Sequence, residues 1–282
     1  MNRIVGLDVG GTNTKILLCM PEGCSVYVTE SHNYKEIEAR IDSASPETVV
    51  LTGGRASGLY SRLQDRYPCE VVSEMTAMCK GAEYLAGGRH RDMILVSVGT
   101  GTAFYYISAD GYRRIGGSGV GGGTIRGLGR MLTGVSDYHR LQVMMELGNR
   151  ERADYTSSDI YGNTFSHILP PNVIVSNFGK LATETAASTE DIASAICGIV
   201  TETVANIACQ AAKRFQVKPI YYCGGIFRSA VAKREIRRYT ELGKERAFFF
   251  EGIEEFVGAI GAVVYFYGDR VKSDLQLLTP IK

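Results

Sequence analysis

The chain alternates between short apolar runs and amphipathic stretches, and the period of that alternation predicts most of its elements. Residues 4–9 and 15–18 are apolar runs flanking a turn of glycine and threonine, which predicts strand, tight turn, strand. Residues 25–30 alternate as a third strand, antiparallel to its neighbours because the connections are so short. Residues 33–43, about 57–66 and about 74–85 read as helices; Thr48–Thr52, which ends at Gly53-Gly54, and 69–73 read as strands. Strands joined by crossover helices imply a sheet with a parallel part. After residues 87–91, the best candidate for a link between lobes of 1–90 and 91–282, the pattern restarts with strand Met93–Val98, a turn Gly99-Thr100-Gly101-Thr102 and strand 104–107. Residues 112–115 lead into the glycine-rich stretch 116–123 and then a helix over 124–132, with a short helix over 137–147. Residues 149–175, with Pro170-Pro171, show weak periodicity. Ser188 and Asp191 form a capping-box start to a long helix ending at 215, with apolar residues at three- and four-residue steps. Strand Pro219–Cys223 enters Gly224-Gly225; a helix follows whose Lys233, Arg234, Arg237 and Arg238 read as a solvated face, then a strand over 247–250 and a helix over 256–267.

Composition narrows the function classes. At 282 residues the chain can bury a substantial core in one large domain or two lobes. Lys plus Arg number 31 against 30 for Asp plus Glu, a net charge of +1, so no bulk field recruits nucleic acid or an acidic membrane surface. No apolar run predicts a membrane span. The seven cysteines are an odd number with no Cys-x-x-Cys and no Cys/His cluster, which argues against zinc or an iron–sulfur centre and for reduced, buried thiols in a cytoplasmic protein.

The candidate chemistry lies in the turns. Gly10 and Gly11 can bring backbone N–H groups close to an anion, Thr12 and Lys15 add a hydroxyl and a cation, and Asp8 could hold Mg²⁺. An ordinary hairpin with glycine in its turn accounts for that stretch equally well. Recurrence of glycine and threonine at 99–102 shifts the balance, because a second such turn suggests two similar halves facing one cleft. Gly119-x-Gly121 has the wrong spacing for a dinucleotide fingerprint; a helix beginning near Gly123 could instead face a phosphate or sugar with its free N–H groups.

In chain order, Asp8-Val9-Gly10-Gly11-Thr12, Glu74, Gly99-Thr100-Gly101-Thr102, Arg113-Arg114-x-Gly116-Gly117 and Gly121-Gly122-Gly123 resemble the type II pantothenate kinases of bacteria and their eukaryotic counterparts. Ser176-Asn177-Phe178-Gly179, Cys223-Gly224-Gly225 and Gly258-Ala259-Ile260-Gly261-Ala262 are further landmarks, so the likeness runs over essentially the whole chain. The resemblance implies an α/β, two-lobed actin-like ATPase (ribonuclease H-like) fold with a nucleotide cleft between the lobes. It also implies ATP-dependent phosphorylation of pantothenate to 4′-phosphopantothenate in coenzyme A biosynthesis, Mg²⁺ as cofactor, and a homodimer. By position, Glu74 is similar to the family's catalytic base and Arg114 to its pantothenate-binding arginine, with Thr100 also on the substrate side. Gly10, Gly11, Thr12, Lys15, Gly99, Thr102, Gly117, Gly121, Gly122, Gly123, Gly224 and Gly225 fall where the family binds ATP and its phosphates, and Asp8 where it holds the metal. Ile174 and Val175 match the segment that reaches the partner's substrate. Where many members carry a serine after the second turn, this chain has Ala103, which removes one hydrogen bond to substrate.

Three rivals share the fold. A kinase for another small alcohol such as a sugar often carries a zinc cluster or a preceding helix-turn-helix, and neither is present in the sequence. A non-catalytic nucleotide-binding regulator would lose the acid at position 74. An ATP-dependent activator with an iron–sulfur cluster needs cysteines that are not so scattered.

Overall fold

The computed structural model describes residues 3–162, 170–183 and 186–271 and the backbone of 279–280. Strands β1 (Ile4–Val9), β2 (Asn13–Met20) and β3 (Gly23–Glu30) form an antiparallel meander. Helix α1 (Tyr34–Ala44) leads to β4 (Thr48–Thr52), which lies parallel to β1, and α2 (Ala56–Leu63) leads to β5 (Cys69–Val71), parallel to β4. Helix α3 (Glu74–Ala86) then carries the chain through left-handed Gly87 and Gly88 into the second sheet.

That sheet contains β6 (Met93–Val98), β7 (Thr102–Ser108) and β8 (Gly111–Ser118) as an antiparallel meander. Helices α4 (Gly122–Thr133) and α5 (Tyr138–Leu147) follow, then β9 (Tyr155–Thr156), α6 (Ser157–Tyr161) and β10 (Ile174–Ser176), with β9 and β10 paired, among the described residues, as a separate two-stranded sheet. Helix α7 (Thr189–Phe215) precedes β11 (Pro219–Cys223), α8 (Ala230–Leu242) precedes β12 (Arg246–Phe249), and β11 adds in parallel beside β6 and β12 in parallel beside β11. Helix α9 (Val257–Tyr267) closes the described core, and β13 (Thr279–Pro280) pairs with β3 at the edge of the first sheet.

Burial explains why the strands read as apolar runs rather than alternating ones. Val5, Leu7 and Val9 face a core under α1 and α2, whereas Ile4 and, across Gly6, the α9 residues Ala259 and Val263 fill the opposite face. Helices α3 and α9 lie between the two sheets: Ala77, Ala259 and Ile260 pack on the first, and Met78, Cys79, Ala82 and Val257 pack on the second. The outer face of the second sheet is covered by α4, α5, α7 and α8. Helix α7 is long and apolar enough to cross a membrane by composition, yet Ile196, Val200, Val204, Ala208 and Ala212 are all fully buried under that sheet. Its capping box at Ser188 and Asp191 forms as the spacing predicts.

Two readings change. Strand β8 continues through Gly116, Gly117 and Ser118, which pair with Phe104, Ala103 and Thr102, so the first three residues of the glycine-rich stretch are sheet. Ile115 is the extra residue where the β7–β8 register slips, a bulge that turns the strand next to Arg114. On α8, Arg234 and Arg237 are exposed as a solvated face requires, Arg237 with its guanidinium 5.0 Å from the centre of the Phe249 ring, but Lys233 turns inward to Glu251 and Glu254. Those carboxylates and that ring come from the segment after β11, which periodicity within one helix does not reveal. Within 149–175, residues 163–169 lie outside the described residues.

Candidate active site

The first turn is closed by the Gly10 N–H donating to Asn13 O at 3.2 Å and by Ser31 Oγ donating to Gly10 O at 2.8 Å. Asp8 and Lys15 face each other across β1 and β2. Because β1 side chains alternate, Asp8 shares the α9 face with Ile4, and only glycines fit around it: a Cβ on Gly258 would lie 2.7 Å from Oδ2, and one on Gly53, which has φ +95°, 2.7 Å from Oδ1. Burial pushes the Asp8 carboxyl above its ordinary range, and Lys15 pulls it back down.

The second turn meets the first. Thr12 Oγ1 and Thr100 Oγ1 are 3.1 Å apart, one from each sheet, and both are open to solvent. Behind it, the N–H groups of Gly122 and Gly123 donate to Gly99 O and Thr100 O, each at 2.8 Å, and the Gly121 N–H donates to Thr124 Oγ1 at 3.1 Å. These glycines therefore let the N-terminus of α4 dock on the turn, and their own N–H groups are already paired. Thr102 is buried, and its hydroxyl proton goes to Val120 O at 2.7 Å, so in this arrangement it has none to give a phosphate oxygen.

Glu74 occupies the first position of α3, whose cap Ser73 accepts the Thr76 N–H at 3.1 Å. Its side chain opens on to the cleft, and Gly54 lies beside it, with room for a Cβ no nearer than 3.9 Å to Oε2. Desolvation by the surrounding protein raises its carboxyl above the ordinary range, the negative charge of Asp8 raises it further, and Lys15 and Arg114 oppose both. Arg114 pairs in register with Tyr105 and folds back along β8, so that Gly117 sits beneath its guanidinium, 2.7 Å from Nη2 to a Cβ built there. Gly117 thus makes room for Arg114 instead of standing free in a loop. Tyr105, buried and raised mainly by that burial, lies within electrostatic reach of both Glu74 and Arg114. Nothing in the sequence marks it, since it looks like any aromatic of a core strand.

Asp8, Thr12, Lys15, Glu74, Thr100 and Arg114 therefore gather around one cleft. The Gly224-Gly225 turn borders it: Gly224 has φ +117° and donates its N–H to Glu254 O at 2.8 Å, and Gly225 lies against Glu255. Ile174 and Val175 do not join this group; they lie on β10, Ile174 buried and Val175 exposed, in a sheet separate from the two that carry the cleft. Among the described residues no group of three or more His, Cys, Asp or Glu side chains is arranged to hold a metal, and none of the seven cysteines is in a disulfide. A single carboxylate beside a phosphate-sized turn suits a hard cation that completes its shell with phosphate oxygens and water.

The Fumble family matches residues 89–265. The chain is 34% identical over 274 residues to a type II pantothenate kinase of Bacillus cereus (strain G9842), covering 94% of this chain and 99% of that one. Among solved structures it resembles an activator of the 2-hydroxyisocaproyl-CoA dehydratase from Clostridium difficile with bound ADPNP, with a TM-score of 0.63, 17% identity and 99% coverage of both chains. It also resembles a ROK family glucokinase from Streptomyces griseus in complex with glucose and AMPPNP, with a TM-score of 0.55, 14% identity and coverage of 92% and 97%. At those identities the two structures establish the actin-like ATPase and sugar-kinase fold and nothing of the substrate.

Proposed function

Because the chain belongs to the type II pantothenate kinase family, we propose that its cleft transfers the γ-phosphoryl group of ATP to the primary hydroxyl of pantothenate. The observation that carries the reading is the gathering of Glu74, Asp8, Lys15 and Arg114 between two glycine/threonine turns, with the Glu74 carboxyl raised toward the range of a useful base. Glu74 accepts the hydroxyl proton as the oxygen attacks phosphorus, the bond to the β–γ bridging oxygen breaks, and ADP leaves with that electron pair. Lys15 and the hydroxyls of Thr12 and Thr100 offset charge on the transferring group. Asp8 would hold Mg²⁺, which would supply further neutralisation of phosphate charge. The lobes divide at residues 87–91, α9 returns to the first, and the enzyme works in the cytoplasm as a homodimer in which the segment of Ile174 and Val175 faces the partner's pantothenate through the exposed Val175.

The test is a substrate panel. Purified protein with MgATP should convert pantothenate to 4′-phosphopantothenate and ADP, and should leave glucose and other sugars unchanged. Turnover of a sugar in place of pantothenate would leave the fold and remove the substrate.

Arg114 supplies a planar fork for the substrate carboxylate, which an ammonium cannot reproduce. Arg114→Lys should raise KM for pantothenate roughly tenfold or more, the scale of one lost charge-assisted hydrogen bond, and leave KM for ATP within about twofold. Equal effects on both constants would place Arg114 outside the pantothenate site.

A further inference from the structure

The segment between β12 and α9 touches both walls of the cleft. Glu254 O holds the Gly224 N–H, and four residues later Gly258 packs on the Asp8 carboxylate. Between them stands Glu255, whose side chain is only 8% exposed. Its Oε2 lies 3.6 Å from the position of a Cβ on Gly225, and its Oε1 accepts hydrogen bonds from Arg228, which is half exposed at the cleft edge. Burial raises the Glu255 carboxyl, and Arg228 and then Lys15, from the opposite sheet, pull it down. One buried carboxylate therefore bonds Arg228 directly and lies within electrostatic reach of Lys15. No step of the phosphoryl transfer uses it.

We propose that Glu255 is an internal counter-ion of the nucleotide site, which cancels part of the positive field of Lys15 and Arg228 and so limits how tightly the polyphosphate is held. The inference rests on the reading of this cleft as the ATP site. Asp8 and Glu74, the other acids within reach of Lys15, have a metal and a proton to take, and a cleft built for affinity alone would carry no third. Low-dielectric walls make such a charge felt further than a surface one, where salt and water screen it. A weaker hold on the polyphosphate favours departure of ADP after transfer, because the product keeps most of the donor's charge. The alternative is that Glu255 serves only to hold Arg228 in place, and the two roles differ in sign.

The experiment measures MgADP binding by calorimetry to wild type, Glu255→Gln, Arg228→Gln and the double variant. Both single variants break the same ion pair, so a merely structural pair would shift affinity in one direction in both. A counter-ion predicts opposite shifts: about fivefold tighter binding for Glu255→Gln, about fivefold weaker for Arg228→Gln, and a double variant near wild type. If Glu255→Gln does not fold, the double variant compared with Arg228→Gln isolates the same charge and should bind more tightly. Weaker or unchanged binding whenever Glu255 is neutralised overturns the proposal. Failure of the wild type to bind MgADP at all overturns instead the assignment of the cleft to ATP.

Discussion

Glu74→Gln is expected to lower kcat for pantothenate by about 10²- to 10⁴-fold, the usual contribution of a positioned general base, with MgATP affinity kept or slightly improved. Glutamine matches glutamate in size but cannot accept the hydroxyl proton. It also removes one of the two negative charges that Asp8 and Glu74 bring to the site, so the nucleotide has no reason to bind less well. The pH profile separates a lost base from a lost shape. In the wild type the base must be ionised, and its carboxyl sits above the ordinary 4.5, raised first by desolvation and then by Asp8. Activity should therefore rise with pH through that raised value and fall as pH drops below it, giving kcat/KM an acid limb displaced upward from a free glutamate. The residual activity of Glu74→Gln should lack that limb. A variant that keeps both the limb and more than a tenth of wild-type turnover would put the base elsewhere.

Local rules made most elements legible, and long-range contacts account for what they missed. Strands β1 and β6 read clearly because both faces of each are covered, and α7 because its capping box and apolar spacing agree. The two turns were legible as a pair because threonine recurs with glycine, and the structure brings Thr12 and Thr100 together. Glycine itself misled in one stretch. At 116–118 it reads as loop although it extends β8, and at 121–123, where it reads as an anion seat, its small size also serves the docking of α4 on Gly99 and Thr100. Both uses depend on what lies opposite, which no window of sequence contains. Glu74 entered only through resemblance, since an acid in the first turn of a helix is commonplace. Tyr105, Arg228 and Glu255 were invisible for the same reason: their partners are distant in the chain.

The close crossing of α3 and α9 leads to the largest expected loss of stability. A Cβ on Gly261 would fall inside the carbonyl oxygen of Ala77 and 2.5 Å from the Gly81 nitrogen, and a Cβ on Gly81 would overlap the Val257 carbonyl. Backbone lies on both sides, so no side chain can rotate away and the helices themselves must separate. Gly261→Ala should therefore destabilise the protein by about 3 kcal/mol or more, at or beyond the upper end for overpacking, even though alanine is the better helix former. For a chain of this size that lowers the melting temperature by roughly 6–12 °C. Gly127→Ala on α4, where a Cβ meets nothing, should be neutral or mildly stabilising, and so serves as the control. The effect reaches the chemistry because α3 begins at Glu74 and α9 presents Gly258 to Asp8, so the two carboxylates are spaced by the contact the new methyl group pries apart. Turnover of Gly261→Ala, measured well below its melting point, should fall by more than the unfolded fraction explains. Gly81→Ala opens the same crossing from the other side, so the double variant should cost less than the two single losses added. An unchanged melting temperature in Gly261→Ala would mean that the helices do not approach this closely, and the spacing of Asp8 and Glu74 would need another origin.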